Sequence, residues 1–519
     1  MELLQSIGGL GDTIDERPYY PLYINGAWCD AEGSQSFVVH EPATGQPIAR
    51  VASASSVDVD RAVMAARTAF DSGPWPHTPP SERAEILHAI ADALDARNFE
   101  LAEIEARDAG VPVRKTTYID VTLGTEIFRA CAELARRSPY EPLPWIDLPN
   151  IAWNFVWREP IGVCAQIIPW NYAFCMAAWK IGPALATGNT VVFKPSQLAP
   201  LSTIEIVRTI DQLGLLPKGV LNLICGPGND VGEQLVAHPA VDKISFTGST
   251  EVGRKVMAAA APLVKRVTLE LGGKNPSIVL PDADLDVTVD GVLWGAFYHA
   301  GQLCEAGSRC FVHRSMHDEL VARLVERVGR MKIGDPMDME TDIGPLISHA
   351  HRAKVERYIA LGRAEGAQVA VGGGRPQGEL FELGPYVEPT IFTGVNHRMR
   401  IATEEIFGPV LAVIPYDHIG EAIQMANDSI YGLAASVWSR DVQTAIGVAQ
   451  RIRAGTIWIN DHHTLSGYAP FGGYKQSGFG REMSSYGLNE YTEAKRIHVD
   501  LHASRAGRIA WDTLLPRDG

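Results

Sequence analysis

Residues 162–194, GVCAQIIPWNYAFCMAAWKIGPALATGNTVVFK, contain two short apolar runs on either side of a longer apolar segment. GVCAQII and NTVVFK favour strands, and AAWKIGPALA between them is typical of a helix. The alternation continues to residue 270, with GVLNLIC, VDKISF and RVTLEL as further strands. Strands that are apolar almost throughout indicate a parallel sheet covered by helices on both faces. Because such sheets bind ligands at the carboxyl ends of their strands, we expect the site there.

The flanking sequence extends this α/β pattern. Helical periodicity dominates residues 56–137, and a second alternating region spans about 276–475. Within that second region, helices are predicted near 284–299, 316–330 and 347–364. Residues 138–160 and 494–500 are predicted to be extended. These extended segments either pair with another subunit or pack on their own domain.

Composition excludes several classes of protein. The chain has 519 residues, 46% of them hydrophobic, and a net charge of −15, which suits a globular protein and not a nucleic-acid binder. No apolar stretch is long enough to span a bilayer, and the N-terminus lacks the pattern of a signal peptide. Seven cysteines without CxxC spacing predict reduced thiols and no metal site. The chain is therefore expected in the cytoplasm.

The segments that follow the predicted strands carry Gly, Asn and Lys, which suit a nucleotide site. In TGSTEVG, Ser249 and nearby backbone N–H groups could meet a phosphate at a helix N-terminus, or Ser249 could be an ordinary N-cap. Lys194 could bond ribose hydroxyls, or it could be a solvated lysine.

A nucleophile is suggested by AGQLCEAGSRC, residues 300–310. Cys304 follows a helical segment and a Gly that permits a tight turn, whereas Cys310 lies in an apolar CFVH run that suits a buried, inert thiol. Glu270 is either a general base facing the cleft or a solvated strand end. Asn171 is either an oxyanion donor or a turn residue.

Seven ordered motifs resemble the aldehyde dehydrogenase family: PWN, KPSQ, FTGSTEVG, LELGGKNP, GQLCEAGSR, EEIFGPV and PFGGYKQSGFGRE. The resemblance implies that Cys304 attacks an aldehyde, that Asn171 and the Cys304 N–H hold the oxyanion, and that Glu270 activates water. It implies that Lys180 and Glu482 relay protons from Glu270. ELGGK is similar to the hydrolytic branch, and the alternatives are a coenzyme A–acylating enzyme or a non-catalytic binding protein.

The resemblance also implies a cofactor cleft for NAD. Its residues would be Ile168, Pro169, Trp170, Lys194, Gln197, Gly228, Gly248, Ser249, Val252, Leu271, Glu405 and Phe407. Gln197 stands where relatives commonly have Glu, whose carboxylate would repel a 2′-phosphate, so we expect some use of NADP. His299 and Ala300 are further departures, where relatives often have Asn and Gln.

The implied substrate funnel combines aromatic, apolar and acidic residues. Its predicted members are Asp120, Leu123, Tyr172, Cys175, Met176, Trp179, Leu303, Glu305 and, in the loop 461–468, Asp461, His462, His463 and Leu465. Asp120, Glu305 and Asp461, with no evident Lys or Arg among them, could attract a cationic aldehyde such as an ω-aminoaldehyde or betaine aldehyde. The alternative, which we favour, is a broad pocket for aliphatic or aromatic aldehydes.

The resemblance implies three structural units and a dimer or tetramer. A Rossmann-like dinucleotide-binding domain would comprise 10–139 and 161–271, a catalytic domain 272–487, and a β oligomerisation arm 140–160 and 488–500. Residues 501–519 extend past the usual family end and either cover a neighbouring subunit or fray.

Overall fold

The computed structural model describes residues 17–146, 151–502 and 504–516. Two large sheets with mainly parallel strands, flanked by helices, make up most of the protein, and two three-stranded sheets complete it. The predicted α/β class is confirmed. Each large sheet has its own apolar core, so the chain buries two separate sets of side chains.

The first large sheet has eight strands, and all five strands predicted between residues 162 and 270 belong to it. In spatial order its strands are Gly478–Phe479, Arg266–Glu270, Lys243–Thr247, Val163–Ile167, Thr190–Lys194, Leu221–Leu223, Leu22–Ile24 and Ala27–Cys29. The five central strands are parallel, and the outer pairings are antiparallel. Strand 478–479 pairs with Leu269 and Glu270, so the predicted domain boundary at residue 271 does not separate the two large sheets completely.

The second large sheet has seven strands, parallel except at one edge. In spatial order these are Gln368–Val371, Thr390–Thr393, Val410–Tyr416, Arg309–His313, Pro276–Val279, Ala434–Trp438 and Thr456–Ile459. Two helices beside this sheet begin with side-chain caps: Asp284 accepts from the backbone N–H of Val287, and Ser348 accepts from that of His351.

The helices account for the amphipathic segments between strands. The α-helices are Ser56–Asp71, Pro80–Ala96, Asn98–Ala109, Val113–Lys115, Val121–Ala135, Ala173–Ala186, Leu201–Leu213, Glu233–Ala237, Thr250–Ala260, Leu285–Phe297, His317–Val328, His349–Ala364, Glu379–Leu383, Arg400–Thr403, Ile419–Asn427, Val442–Ala449 and Ser484–Asn489. The three helices predicted in the second region are present within a few residues of their expected bounds. Among the residues described, no helix is long and apolar enough to cross a membrane.

Both extended segments outside the large sheets form one antiparallel sheet of Thr492–Asp500, Ala152–Pro160 and Tyr140–Pro142. Part of the predicted segment, residues 147–150, lies outside the described residues. A second small sheet contains Tyr19–Tyr20, Pro47–Ala52 and Ser36–His40. All seven cysteines are free, as predicted.

Candidate active site

Cys304 lies in an irregular loop where the cores of the two large sheets meet. The loop begins after Leu285–Phe297 with a turn in which His299 and Ala300 have φ angles of 53° and 51°. Gly301 follows with φ of 70°, and a Cβ there would lie 2.3 Å from the Gly408 carbonyl oxygen. Only glycine fits such a close approach. The turn brings Cys304 into the core of the first sheet, whereas Ala300 packs in the core of the second.

Asn275 fixes the backbone on both sides of the thiol. Its Nδ2 donates to the carbonyl oxygens of Cys304, at 2.9 Å, and Ala306, at 3.0 Å. Its Oδ1 accepts from the Ala434 N–H at 3.0 Å. Asn275 is not among the residues predicted for the site, and its position two residues after Gly273 in LELGGKNP is only a weak signal in the sequence. A buried amide with all these partners makes the loop geometry specific.

Glu270 is the last residue of its strand and is only 1% exposed. Both of its carboxyl oxygens are buried without a hydrogen-bond partner in the described part of the chain. Burial, followed by the negative charge of Glu305, raises the pKa of Glu270 well above its usual value. Burial also raises the pKa of the Cys304 thiol, and the nearby charge of Glu270 raises it further. The structure therefore brings the Cys304 thiol and the buried carboxyl group of Glu270 together.

Lys180 and Glu482 form a buried ion pair of 2.6 Å beside Glu270. The positive charge of Lys180 lowers the pKa of Glu270 and the negative charge of Glu482 raises it, which places both close to that carboxyl group. Glu482 keeps one buried oxygen without a partner among the described residues. Asn171, the remaining predicted catalytic residue, is buried in the loop between Val163–Ile167 and Ala173–Ala186.

The predicted cofactor residues lie along one edge of the first sheet. All except Glu405 and Phe407 stand at or just after the carboxyl end of a parallel strand. Lys194 is buried, burial lowers its pKa to about 8, and its ammonium donates at 3.3 Å to the Pro195 carbonyl. Ser249 caps Thr250–Ala260, accepts from the Val252 N–H, and is itself exposed.

These residues fit a dinucleotide. A Cβ on Gly272 would collide with Glu405, so the glycine lets that carboxylate approach the backbone and accept from the Gly273 N–H at 3.1 Å. Phe407 packs edge-on against Trp170 with ring centroids 5.5 Å apart. The N-terminus of Thr250–Ala260 suits the phosphates of such a ligand. The buried ammonium of Lys194 and the half-buried carboxylate of Glu405 suit its ribose hydroxyls. Gln197 is exposed, while Ile168 and Leu271 are buried beneath this edge.

Several of the predicted funnel residues are aromatic or pack against aromatic side chains. Tyr172 and Tyr298 are 6.2 Å apart, Trp294 stacks on Tyr298 at 4.0 Å, and Trp179 packs on Phe471 at 5.4 Å. Leu303 is buried, and Leu123 and Leu465 pack against the same core. A cavity of about 740 Å³ adjoins Trp294 and Tyr298, but none of the predicted funnel residues lines it, and its lining also includes Lys115, Arg327 and Arg330. The predicted funnel is therefore largely apolar and aromatic.

The three acids predicted for the funnel are not exposed together as one group of negative charges. Asp120 is fully buried and pairs with Lys115 at 2.6 Å, which corrects the expectation that no Lys or Arg stands nearby. The Lys115 ammonium also lies 4.0 Å from the centre of the Tyr172 ring. Glu305 is buried too, with His463 Nδ1 at 3.2 Å from its Oε1. Of the three acids only Asp461 is exposed, and it bonds Thr464 and the His462 N–H.

The fold and site define an α/β enzyme with a cysteine nucleophile and a nucleotide cleft. Residues 28–497 match the model of the aldehyde dehydrogenase family. The chain belongs to this family and is an oxidoreductase that acts on aldehydes.

The relatives cover nearly the whole chain. A betaine aldehyde dehydrogenase of Bacillus subtilis (strain 168) is 47% identical over 477 residues, 92% of this chain and 96% of that protein. Retinal dehydrogenase 2 of Homo sapiens is 42% identical over 488 residues, 94% and 93% of the two chains. A solved structure of betaine aldehyde dehydrogenase from Staphylococcus aureus in complex with NAD⁺ has a TM-score of 0.90 at 42% identity, covering 93% and 95%. The NAD⁺ complex of an aldehyde dehydrogenase from Bacillus cereus has a TM-score of 0.90 at 43% identity, covering 93% and 97%.

Proposed function

We propose that this enzyme oxidises aldehydes to carboxylic acids through a thiohemiacetal and then a thioester on Cys304. The observation that carries the proposal is that the buried Cys304 thiol and the buried carboxyl group of Glu270 lie close enough to shift each other's pKa. The Cys304 sulfur attacks the aldehyde carbon, and the Asn171 amide and the Cys304 N–H hold the resulting oxyanion. A bound nicotinamide dinucleotide would accept the hydride.

Glu270 then takes a proton from the water that hydrolyses the thioester. Lys180 and Glu482 exchange protons with Glu270, a role supported by their 2.6 Å pair and by their electrostatic effect on its pKa. The hydrolytic outcome separates this enzyme from one that passes its acyl group to coenzyme A. Product analysis with and without coenzyme A checks this, because acyl–coenzyme A as the product would contradict the assignment of Glu270.

We assign NAD as the main cofactor, with use of NADP. The NAD⁺ complexes of the Staphylococcus aureus and Bacillus cereus proteins support the first part. Gln197, neutral and exposed at the cofactor edge, supports the second. We expect Gln197→Glu to raise the NAD/NADP ratio of kcat/KM by about 10-fold, because a carboxylate repels the 2′-phosphate. An unchanged ratio, or no activity of the parent enzyme with NADP, would refute the assignment.

The substrate is assigned as a broad range of uncharged aliphatic or aromatic aldehydes. The aromatic lining supports this, as does the Lys115 ion pair that offsets the charge of Asp120. A second candidate is a cationic aldehyde, an ω-aminoaldehyde or betaine aldehyde. The carboxylate of Glu305 among aromatic rings, and the similarity to betaine aldehyde dehydrogenases, favour that alternative.

A panel of aldehydes distinguishes the two candidates. Initial rates of cofactor reduction would be measured on short aliphatic, long aliphatic, aromatic, amino and trimethylammonium aldehydes, with Cys304→Ala as the blank. We expect kcat/KM to be highest for uncharged aldehydes. A preference for cationic aldehydes of about 10-fold or more would establish the second candidate, since 1.4 kcal/mol of selective binding gives that ratio. No turnover of any aldehyde would favour a non-catalytic binding protein.

We further propose that the predicted units are a dinucleotide-binding domain, a catalytic domain and an oligomerisation arm. The arm is the sheet of Tyr140–Pro142, Ala152–Pro160 and Thr492–Asp500, and it would join the subunits of a homodimer or homotetramer. Trp153 and Trp157 are partly exposed on this sheet, which suits burial by a second subunit. Trp511 and Leu514 are exposed in the C-terminal extension and could cover a neighbouring subunit. A cytoplasmic location is proposed on the free cysteines alone.

A further inference from the structure

Glu305, the residue after the nucleophile, contacts the reacting sulfur. The Cys304 thiol donates to Glu305 Oε2 at 3.0 Å, and the other oxygen of this carboxylate lies 3.2 Å from His463 Nδ1. The side chains of Glu305 and His463 are 5% and 2% exposed. The thiol is thus hydrogen-bonded to a buried carboxylate, and an imidazole lies beside that carboxylate. The roles proposed for Glu270, Lys180 and Glu482 do not use this arrangement.

Two separate segments build this chain. His462 Nε2 lies 2.9 Å from the Glu305 carbonyl oxygen, so the 461–468 loop is held against the nucleophile loop. His463 has a φ angle of 65°, in the left-handed region, and its ring packs 5.4 Å from Tyr298 and 4.4 Å from His462. A non-glycine residue stays in that region only where its surroundings fix it. The imidazole is therefore positioned behind Glu305 by packing.

The two carboxyl groups near the sulfur differ in ionisation. Burial raises the pKa of Glu270 well above its usual value. Burial would also raise the pKa of Glu305, but the adjacent His463 and the Cys304 thiol bring it down to about 2. Near neutral pH, Glu305 is the ionised acceptor and Glu270 is the group biased to hold a proton. Pairs of carboxyl groups separated in this way divide acid and base roles.

Other charged groups do not reverse this assignment. The charges of Lys180 and Glu482 act on the pKa of Glu270. Burial and the charge of His463 lower the pKa of His462 to about 3, so His462 is neutral. Asp120 and Lys115, beyond Tyr172, offset one another in their own pair. Glu305 is thus the carboxylate that the thiol contacts directly.

We propose that Glu305, held by His463, takes the thiol proton when Cys304 attacks the aldehyde, while Glu270 serves only the later hydrolysis. This inference rests on the proposed function. In the first step the sulfur–carbon bond forms, the carbonyl π electrons move to oxygen, and the thiol proton passes to Glu305 Oε2. When water cleaves the thioester, the leaving sulfur recovers that proton from Glu305. Glu305 is therefore a catalytic residue in addition to Glu270.

The test separates the two steps by rapid mixing with a limiting aldehyde and NAD. The burst of reduced cofactor reports attack and oxidation, and the decay of the acylated protein, followed by intact mass, reports hydrolysis. We expect Glu305→Gln to slow the burst by about 10²-fold and to leave the decay unchanged, because general-base catalysis contributes at least that factor. Glu270→Gln should show the reverse pattern. Glu85→Gln, the same change at an exposed helix position, should alter neither rate.

A Glu305→Gln burst as fast as the parent's, or a burst lost in Glu270→Gln and kept in Glu305→Gln, would overturn the proposal. A second variant distinguishes loss of the carboxylate from loss of folding. Glu305→Ala, with cofactor binding checked by fluorescence, should recover its burst with formate and not with formamide, and recovery with neither would count against Glu305. The proposed function fails differently, because then the parent enzyme and Cys304→Ala would both lack a burst.

Discussion

Cys304 and Cys310 lie close together in the sequence, and both are buried, but their surroundings differ. Cys310 lies in strand Arg309–His313 within the apolar core of the second sheet, and burial alone raises its pKa to about 12. Cys304 lies in a loop beside Glu270 and Glu305, and those charges add to the effect of burial on its pKa. Burial and a raised pKa therefore do not identify a reactive thiol. Neighbouring groups that can accept its proton do.

The largest expected difference between the two cysteines is in turnover. Cys304→Ala should reduce kcat by about 10⁴-fold or more, because it removes the atom that forms the covalent intermediates. Cys310→Ala should keep kcat within about 3-fold, since Cys310 only packs in the core. Steady-state rates of cofactor reduction measure both. A matching loss of activity in the two variants, with cofactor binding intact, would erase the distinction.

A smaller effect is expected on the pH dependence of thioester hydrolysis, which depends on Glu270. Glu270 must be ionised to accept a proton from water, and burial raises its pKa above the usual value. We therefore expect thioester hydrolysis to accelerate as pH rises and to slow as pH falls through this raised pKa. Glu270→Gln should slow hydrolysis by about 10²- to 10⁴-fold and remove the pH dependence. The decay of the acylated protein across a pH series measures this, and an unchanged profile in the variant would exclude Glu270 as the base.

The smallest effect concerns stability. In Cys310→Ser a hydroxyl is buried among apolar side chains, which should cost about 1–3 kcal/mol of unfolding free energy. In Cys304→Ser the new hydroxyl retains the Glu305 acceptor, which lies 3.0 Å from the present sulfur, so the cost should be lower. Thermal unfolding would then give a lower Tm for Cys310→Ser than for Cys304→Ser. The opposite order would show that the two environments are not as different as their contacts indicate.

Local sequence was enough to predict the central strands, and it also distinguished the surroundings of Cys304 from those of Cys310. Strands such as Thr190–Lys194 are buried throughout and have three consecutive apolar residues at their centre, so a short stretch of sequence is enough to predict their burial. The position of Glu270 at a strand end follows from the same pattern. The sequence-based choice between the two cysteines also used only their immediate neighbours, and the structure gives those neighbours the expected environments.

Contacts between distant segments could not be predicted in this way. The partner of Glu305, His463, comes from a loop far along the chain, and strand Gly478–Phe479 joins the first sheet from beyond the second. The Lys115–Asp120 pair is local, but it depends on the π-helical turn Thr116–Asp120, which has no clear signature in the residues. Such contacts explain why two of the three acids predicted for the funnel, Asp120 and Glu305, are buried beside Lys115 and His463.

The most direct test is to trap the covalent intermediate. The Glu270→Gln variant would be mixed with a simple aldehyde and NAD, quenched in acid, digested and mapped by mass spectrometry. We predict that the peptide containing Cys304 gains the mass of one acyl group, and that no acyl group is attached to Cys310. An acyl group on Cys310, or reduced cofactor formed without any acylated cysteine, would contradict the assignment of Cys304 as the nucleophile.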